Sequence, residues 1–477
     1  MPPSLARGST TAGRYVDGIS ARGRGPRPSQ RSVRRAAAQR RAAGRQLRSV
    51  VPRSRHATWQ RGADRPDPLA LLRDQNRTRI PELVPIRWAR MLESPFAFLR
   101  GAAVVMAHDL VSTPVTGIIV QACGDAHIAN FGVFASPERN LVFDVTDFDE
   151  TLAGPWEWDI KRLAASAVLA GRDARMSKSA CRDAATAGVR AYRKAMRRFA
   201  RMTVMDTWYT RTDEQATKVL LRNRSRAKLE RLFAAAPART SATALPSLTE
   251  LTRSGDWRIV DHPPVVSHVT MDEHAEELRH LFTTYRDSLS DDRRLLLQRF
   301  AVHDFALKFV GVGSVGTRCF VALLVSDMGE PLFLQIKEAD PSVLAPFWAT
   351  KPVKRQGRRV VSGQRIMQAD SDIFLGWAEA DDADFYVRQL RDMKASADFA
   401  TMSRPVFRDY LRLCGWTLAR AHARAGSAPQ IAGYLGKGDR FDRAVTQFAV
   451  AYADQTVRDH AALRDAVARG EIAAHSA

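Results

Sequence analysis

The sequence has few cysteines and no long apolar run. Its four cysteines are scattered through 477 residues, and none belongs to a Cys-x-x-Cys pair. This spacing argues against a zinc module or a disulfide framework, and it predicts buried thiols in the reducing cytoplasm. Because no stretch of about 18 apolar residues is present, we expect no membrane span. The N-terminal region also lacks the apolar core that a secretory signal needs.

Lysine and glutamate are absent from residues 1–65. This stretch contains sixteen Arg and two Asp, so it carries +14 of the net charge of +22 and leaves +8 for the rest of the chain. It has too few apolar residues to offset the entropy cost of ordering. We therefore predict an Arg-rich disordered tail. The alternative is that the start codon has been placed too far upstream, so that these residues are not part of the natural protein. Weak contact with nucleic acid or an anionic surface through Arg–phosphate pairs remains an alternative role.

Hydrophobic periodicity divides the remaining chain into three parts. We predict a mainly helical lobe over residues 66–300, with buried strands at 116–122 and 140–145. Residues 301–395 favour a β-rich lobe, because HDFALKFVGVGSVGTRCFVALLVSDMGEPLFLQIKEA is typical of strand, glycine loop, strand, turn and strand. The remaining predictions are a helix near 360–377, a strand over 384–390, a helix over 410–425, and a helical segment at 396–477 that packs on the helical lobe.

Acidic and amide side chains follow the two strands predicted in the helical lobe. One carboxylate at such a position can accept the proton of an attacking hydroxyl, while a nearby amide oxygen and further carboxylates bind a metal. Mg²⁺ prefers these oxygen ligands. Turn and cap residues would give the same pattern. The predicted base is Asp125, the residue that orients its loop is His127, and the predicted metal ligands are Asn130, Asp147 and Asp149.

A glycine loop is predicted between two strands of the β-rich lobe. Gly311, Gly313 and Gly316 fit the pattern GxGxxG, with Ser314 inside it. A dinucleotide site would need a helix after the last glycine, but the β-branched and aromatic run TRCFVALLV follows instead. The Gly-Lys-Ser/Thr sequence of other phosphate loops is also absent. A loop between two strands is what kinases place over nucleotide phosphates, although a glycine-rich hairpin turn would look the same.

A lysine on the next predicted strand fits this interpretation. In LFLQIKEA, Leu332, Leu334 and Ile336 share one face, and Lys337 lies on the other. Lys337 can therefore point into a cleft under the loop and bind nucleotide phosphates, or it can be an exposed strand lysine. Its carboxylate partner is expected to be one of Asp370, Asp372 and Glu338.

Three motifs resemble a known series. GDAHIANF, VTDFDE and PWEWDIKRLA resemble the HGDxHxxN, IDFDD and DLA motifs of aminoglycoside phosphotransferases and related kinase-like enzymes. The resemblance implies a catalytic base at Asp125, magnesium ligands at Asn130 and Asp147, and a buried structural aspartate at Asp159. It also implies a nucleotide site at the glycine loop and Lys337.

From about residue 66 the chain also resembles an uncharacterised bacterial family, domain of unknown function 2252. This resemblance rests on SPFAFLRG, GDAHIANFG, DFDE, GVGSVGTR, LQIKEA and YVRQLRDMK. It implies no established activity. Cys123 stands where the kinase-like enzymes usually have His.

The motif order differs from that of kinases, because the glycine loop follows the catalytic loop by about 190 residues. A circular permutation explains this order, since the termini of compact domains often lie close together. The expected fold is therefore α+β, a protein-kinase-like two-lobe fold that is circularly permuted. In that order, the helix over 410–425 would lead to the catalytic loop.

The expected function is an ATP- and Mg²⁺-dependent phosphotransferase that acts on a hydroxyl of a small molecule or a protein. Arg100, in SPFAFLRG, is a candidate anion contact on the acceptor side. One alternative is a noncatalytic nucleotide-binding protein with a nucleic-acid-binding basic tail. The other is a metal-dependent phosphoesterase, with ligands at Asp125-x-His127 and at Asp439 and Asp442.

Overall fold

Helices and antiparallel sheets alternate along the chain, giving a mixed α+β architecture. The computed structural model describes residues 51–475 except 221–229, 232, 254, 264, 269–274, 310, 349–352, 381–382 and 391. Most of the predicted tail, residues 1–50, therefore lies outside the described residues.

The first third of the chain combines short helices with four strands. Asp67 caps the first helix by accepting hydrogen bonds from the backbone amides of Leu69 and Ala70, and Ser94 caps the third through Ala97. The elements are 3₁₀ turns at Arg53–Ala57, Asn76–Thr78, Pro81–Leu83 and Ile128–Asn130, helices α1 Pro68–Gln75, α2 Val84–Leu92, α3 Pro95–Gly101 and α4 Ala103–Val111, and strands β1 Ile119–Ala122, β2 Phe131–Ala135, β3 Leu141–Val145 and β4 Leu152–Pro155.

The middle third is helical, as predicted, but it also contains short strands that the sequence interpretation did not expect. The elements are α5 Trp156–Asp173, α6 Lys178–Phe199, α7 Val204–Tyr209, α8 Glu214–Leu220, α9 Ser241–Leu248, β5 Thr249–Leu251, β6 Trp257–Ile259, β7 Val266–His268, α10 Ala275–Asp287 and α11 Asp291–Leu297.

The last third begins with the predicted β-rich region. The helix predicted near 360–377 ends at Met367, and a strand follows. The elements are β8 Phe300–Lys308, β9 Cys319–Ser326, β10 Pro331–Glu338, α12 Ala345–Trp348, α13 Gln356–Met367, β11 Gly376–Glu379, β12 Asp384–Gln389, β13 Ala395–Ser396, α14 Arg404–Ala425, α15 Ala428–Leu435 and α16 Arg440–Ala468.

The largest sheet has six antiparallel strands in the order β11-β12-β10-β9-β8-β7. The predicted alternation in β10 is observed: Leu332, Leu334 and Ile336 pack into one buried cluster, and Phe333 packs into another on the opposite face. Lys337 therefore lies on the face opposite Ile336. Three further sheets are smaller, with the orders β13-β2-β3, β1-β4 and β5-β6.

Helices α6 and α14 lie side by side and run in the same direction. A Cβ atom at Gly415 would lie 2.1 Å from the carbonyl oxygen of Gly188, so both backbones approach too closely for a side chain there. Further along both helices, the Tyr192 hydroxyl is 2.8 Å from Nδ1 of His422. The C-terminal helix α16 packs against α5 and α6, where Asp442 binds Arg193.

Residues 51–65, which the sequence prediction assigned to the tail, are folded against the helices. His56 is fully buried, with Nε2 2.7 Å from the Tyr434 hydroxyl. The Arg65 guanidinium lies between Asp109 and Asp459 and donates hydrogen bonds of 2.7–2.9 Å to both carboxylates. One cation thus neutralises two buried anions, and this interaction offsets the cost of ordering an Arg-rich segment.

All four cysteines are free and buried, as predicted. Among the residues that the structure describes, no helix is both long and apolar enough to cross a membrane.

We expect Arg65→Met to lower the free energy of unfolding by about 3–5 kcal/mol, because it leaves two buried carboxylates without their cation. Urea denaturation at pH 7 measures the effect. The matched control is Arg77→Met, since Arg77 is 81% exposed and its ion pair, as far as the described residues go, is with the exposed Asp74. A change within about 0.5 kcal/mol is expected for the control. An equally small change for Arg65→Met would mean that residues 51–65 do not hold the fold together.

Candidate functional site

Asp159, in the first turn of α5, fixes the turn that follows β1. Its carboxylate accepts hydrogen bonds from the backbone amides of Cys123 (2.7 Å) and Gly124 (2.9 Å), and it lies 3.0 Å from Nε2 of His422. Gly124 has φ +83°, and a Cβ atom there would lie 2.1 Å from the Glu150 carbonyl oxygen. Only glycine fits this position. The buried Asp159 thus supports the loop that carries Asp125.

Asp125 lies at the base of this loop beside two basic groups. One carboxylate oxygen contacts Nε of Arg162, and the other is 3.8 Å from Nε2 of His127. Burial raises the pKa of Asp125, despite the opposing charges of Arg162 and Arg100. Burial also lowers the pKa of His127 well below its usual range, so its ring is neutral at pH 7. The Asn130 side-chain amide donates to the Asp125 carbonyl at 2.7 Å, which leaves its amide oxygen as the side-chain acceptor.

Asp147 and Asp149 follow β3 and have different surroundings. Burial raises the pKa of Asp147, and repulsion from Asp149 adds to the effect. Burial also opposes ionisation of Asp149, but the Lys337 ammonium and hydrogen bonds from Lys337 and Tyr386 outweigh it and lower the pKa. Asp149 is therefore the more fully compensated of the two carboxylates. Asp147 forms no ion pair with a basic side chain among the described residues.

Asp149 is the carboxylate partner of Lys337. One Asp149 oxygen contacts Nζ of Lys337, and the other accepts a hydrogen bond of 2.7 Å from the Tyr386 hydroxyl. The sequence-based expectation of Asp370, Asp372 or Glu338 is wrong because each of them has another partner. These partners are Arg211 for Asp370 (2.8 Å), the backbone amides of Phe374 and Gln389 for Asp372, and Arg318 for Glu338 (3.1 Å).

The glycine loop lies between β8 and β9 and is held by the N-terminal helices. The Ile80 amide donates to the Gly316 carbonyl at 2.8 Å, and Arg79 Nη1 donates to the Val315 carbonyl at 2.5 Å. The Val315 side chain is fully buried beside Leu83 and Ile86. The loop is therefore docked on residues 79–86 instead of extending into solvent.

A cavity of about 770 Å³ joins the two distant motifs. Its walls also contain the cations Arg79 and Arg100 and the acids Glu150, Glu338 and Asp340. Gly316 and Asp159 do not line it, since Gly316 packs on Arg79 and Asp159 lies behind the 123–124 turn. The predicted site residues that line the cavity are Asp125, His127, Asn130, Asp147, Asp149, Gly311, Gly313, Ser314, Lys337 and Arg100.

Sequence reasoning missed Arg162, Tyr386 and Arg388. Arg162 lies three residues after Asp159 on α5, so helical spacing places both on one face. Tyr386 lies directly opposite Lys337 in the β10–β12 pair, and Arg388 donates to the Thr146 carbonyl at 2.9 Å. Period-two alternation in the predicted strand over 384–390 could have placed both side chains on the lysine's face.

The metal-binding potential rests on hard oxygen donors. Within the described ranges, no three His, Cys, Asp or Glu side chains are close enough together to hold a metal ion by themselves. Asp147 and Asn130 offer a carboxylate and an amide oxygen to the same cavity. Mg²⁺ characteristically takes one or two such protein ligands and completes its shell with water and substrate phosphates. The donor set therefore fits a magnesium ion that arrives with a phosphate ligand.

The environment of the Glu150 carboxyl predicts that the free energy of unfolding depends on pH. Burial raises its pKa from 4.5 to about 7, although the Val343 amide donates to it. The folded state then binds the proton more tightly, so Glu150 lowers the free energy of unfolding as pH rises from 4.5 to about 7. Glu150→Gln should be neutral near pH 4 and more stable than wild type, by up to about 3 kcal/mol, above pH 7.

Urea denaturation at pH 4, 5.5 and 7.5 would measure this difference. Glu82→Gln, at an exposed position, is the matched control and should follow the wild-type profile. A difference between Glu150→Gln and wild type that does not grow with pH would contradict the prediction.

The comparisons with known proteins bear on most of this chain. No curated protein and no solved structure matches it. One sequence family matches residues 79–466, a range that contains every site residue predicted from the sequence. Since the match covers well over half of the sequence, the chain belongs to the bacterial family described as "Uncharacterized protein conserved in bacteria (DUF2252)".

Proposed function

We propose that this protein is an ATP- and Mg²⁺-dependent phosphotransferase acting on a hydroxyl acceptor, with a circularly permuted kinase-like fold. The observation that carries the proposal is the shared cavity. The glycine loop and Lys337 line the same space as Asp125, Asn130 and Asp147. Asp149 and Lys337 are in contact although 188 residues separate them. If the glycine loop were only a hairpin turn and Lys337 only an exposed strand lysine, their position beside the acidic loop would be unexplained.

The permuted order is supported by the end of α14. Gly426, just after this helix, lies against Ile119 and Val120, where a Cβ atom on Gly426 would be 3.0 Å from the Ile119 carbonyl oxygen. In the kinase order this helix leads directly into the catalytic loop, and β1 is the strand that delivers Asp125. The end of α14 and the strand β1 are therefore neighbours in space, as the kinase order requires of these two elements.

In the proposed site, Lys337 and the backbone amides of the glycine loop bind the nucleotide phosphates. Both oxygens of Asp149 are already bound to Lys337 and Tyr386, so Asp149 orients the lysine. Asp147 and Asn130 then remain as the metal ligands. When bound, Mg²⁺ would neutralise the negative charge of the phosphate oxygens.

Asp125 serves as the proton acceptor. Arg162 fixes one of its carboxylate oxygens, and the side chain is 18% exposed toward the cavity. The acceptor hydroxyl gives its proton to Asp125 as its oxygen forms a bond to the γ-phosphorus. The bond between this phosphorus and the β–γ bridging oxygen breaks, and ADP leaves. The raised pKa of Asp125 favours proton acceptance near neutral pH.

Arg100 supports an anionic group on the acceptor. Its buried Nε atom has no hydrogen-bond partner within the described ranges, and its guanidinium lies 5.9 Å from the centre of the Phe96 ring. Arg79 lines the same cavity, and its Nε is also unpartnered there. The two guanidinium groups in the cavity wall favour a ligand that carries negative charge beside the reacting hydroxyl.

The two alternative functions have less support. In the phosphoesterase alternative, Asp442 would bind metal, but it is fully buried, bound to Arg193 at 2.8 Å, and not part of the cavity wall. A noncatalytic nucleotide-binding protein would not need Asp125, Asn130 and Asp147 together in the cavity. A nucleic-acid contact through the Arg-rich N-terminal residues remains a separate proposal.

ATP binding should require magnesium and both distant motifs. In calorimetric titration of the full chain with ATP, we expect binding with Mg²⁺ and little binding without it. Asp147→Ala and Lys337→Met should each weaken binding by about 10- to 100-fold, the effect of losing one or two charge-assisted hydrogen bonds. The matched controls are Asp465→Ala and Lys178→Met at exposed positions.

Lys337→Met also leaves Asp149 without its cation, so its folding needs a separate check. The double variant Asp149→Asn/Lys337→Met removes both charges and should keep a cooperative thermal unfolding transition while failing to bind ATP. If the wild-type protein does not bind ATP, or if the folded double variant binds ATP as tightly as wild type, the kinase-like proposal fails.

Asp125→Asn should separate binding from chemistry. The amide keeps the size of the side chain but accepts a proton poorly, so ATP affinity should change by less than about threefold. Release of ADP from ATP and Mg²⁺, with water as the acceptor, should fall by about 10²- to 10⁴-fold. A coupled assay for ADP measures this rate, and unchanged ADP release would exclude Asp125 as the base.

A further inference from the structure

A second concave surface lies between α6 and α14, outside the cavity that joins the glycine loop to the acidic loop. It encloses about 560 Å³. We call it the basic groove, and its basic residues are Arg190, Lys194 and Arg198 on α6 and Arg408 and Arg412 on α14. Asp183 is the one acidic residue in its lining.

The positive charge of the basic groove is poorly compensated. Within the part of the chain that the structure describes, Lys194 and Arg198 form no ion pair or hydrogen bond through their side chains. Arg190 is 3.8 Å from Asp442, which already binds Arg193 at 2.8 Å. The two α14 cations share the buried Asp409, at 4.0 Å from Arg408 and 3.2 Å from Arg412. The groove therefore presents a strong positive potential.

The cations form two rows with a regular repeat. Arg190, Lys194 and Arg198 are four residues apart, as are Arg408 and Arg412. At 1.5 Å per residue, each step is about 6 Å along its helix. The wall between them includes the small residues Ala187, Ala191 and Ala195. Such an arrangement suits an elongated chain of negative charges better than a single compact anion.

Exposed aromatic residues lie close to one end of the basic groove. Trp416 lines the groove, and its ring packs against Phe199, the last residue of α6, with ring centres 5.5 Å apart. Helix α7 begins five residues later and exposes 43% of Trp208 and 68% of Tyr209. Arg424 of α14 lies 3.8 Å from the centre of the Trp208 ring. The aromatic pair is thus attached to the same two helices that form the groove.

We infer that the basic groove binds single-stranded nucleic acid, with phosphates along the two cation rows and bases stacked on Tyr209 and Trp208. A cationic groove that follows the backbone, combined with aromatic rings for stacking, is the usual construction of such surfaces. An acidic peptide would use the cations but not the rings. A flat bilayer would not reach the floor of a groove. The inference is independent of the phosphotransferase proposal, since the basic groove and the cavity share no lining residue.

Charge reversal in the groove is the first test. The probe is a fluorescein-labelled 20-nucleotide oligouridylate, and its anisotropy is followed as full-length protein is added at several salt concentrations. Lys194→Glu/Arg198→Glu should weaken binding at least tenfold and reduce the slope of log affinity against log salt by about 1.4. The control Arg299→Glu/Arg464→Glu changes the net charge equally at exposed positions outside the groove.

Equal losses in both variants, or none in the groove variant, would overturn the inference, because the Arg-rich N-terminal residues are unchanged in each. A thermal unfolding transition confirms that each variant is folded. If the charge reversal prevents folding, Lys194→Gln/Arg198→Gln should fold and still show a loss of at least threefold against its glutamine control, Arg299→Gln/Arg464→Gln.

Cross-linking gives an independent test of the aromatic pair. Oligouridylate containing 4-thiouridine is irradiated with the wild-type protein, and the modified peptides are identified by mass spectrometry. We expect adducts at Trp208 or Tyr209, and at least a threefold loss of them in Tyr209→Ala. Adducts confined to residues 1–50 would overturn the inference. So would tighter binding of polyglutamate, or of phosphatidylserine vesicles, that depends on Lys194 and Arg198.

Discussion

A buried carboxylate needs a nearby cation or several hydrogen bonds, and this requirement shapes the structure around residues 121–162. Four aspartates in this stretch are partly or fully buried, and removing the partner of a buried carboxylate typically costs several kcal/mol. Three of the four partners come from the part of the chain after residue 330. The acidic stretch thus holds the helical region, the large sheet and α14 together. The pairs are Asp125 with Arg162, Asp144 with Arg420, Asp149 with Lys337, and Asp159 with His422.

Under the proposed function, the same pairs would prepare the cavity for anionic ligands. Asp149 contacts Nζ of Lys337 and is itself held by the Tyr386 hydroxyl, so Lys337 would not need to move to meet a phosphate. Among the described residues Asp147 forms no ion pair, and burial together with repulsion from Asp149 raises its pKa. The glycine loop is likewise held in advance by Arg79 and the Ile80 amide. Preorganisation of this kind reduces the entropy lost on binding.

Elements with a local sequence pattern were predictable. The alternation in β10 placed Lys337 on the correct face, and the region predicted to be mainly helical contains the long helix α5. Pairings between distant residues were not predictable, because the local periodicity of a sequence does not depend on which distant residues come into contact. The partner of Lys337 is the clearest example, and the burial of Arg65 is another. Composition alone made residues 51–65 resemble a solvated tail, since the carboxylates that neutralise Arg65 lie 44 and 394 residues away.

The spacing of Asp149 and Lys337 also has a consequence during synthesis. The acidic loop leaves the ribosome 188 residues before its lysine. At about 5–20 residues per second, this interval is on the order of 10–40 s. Throughout that time the carboxylates of Asp144 and Asp149 must stay hydrated or protonated, because Arg420 and Lys337 have not been made. The N-terminal half therefore cannot bury these carboxylates while the chain is being synthesised. The site is completed only after the large sheet and α14 have emerged.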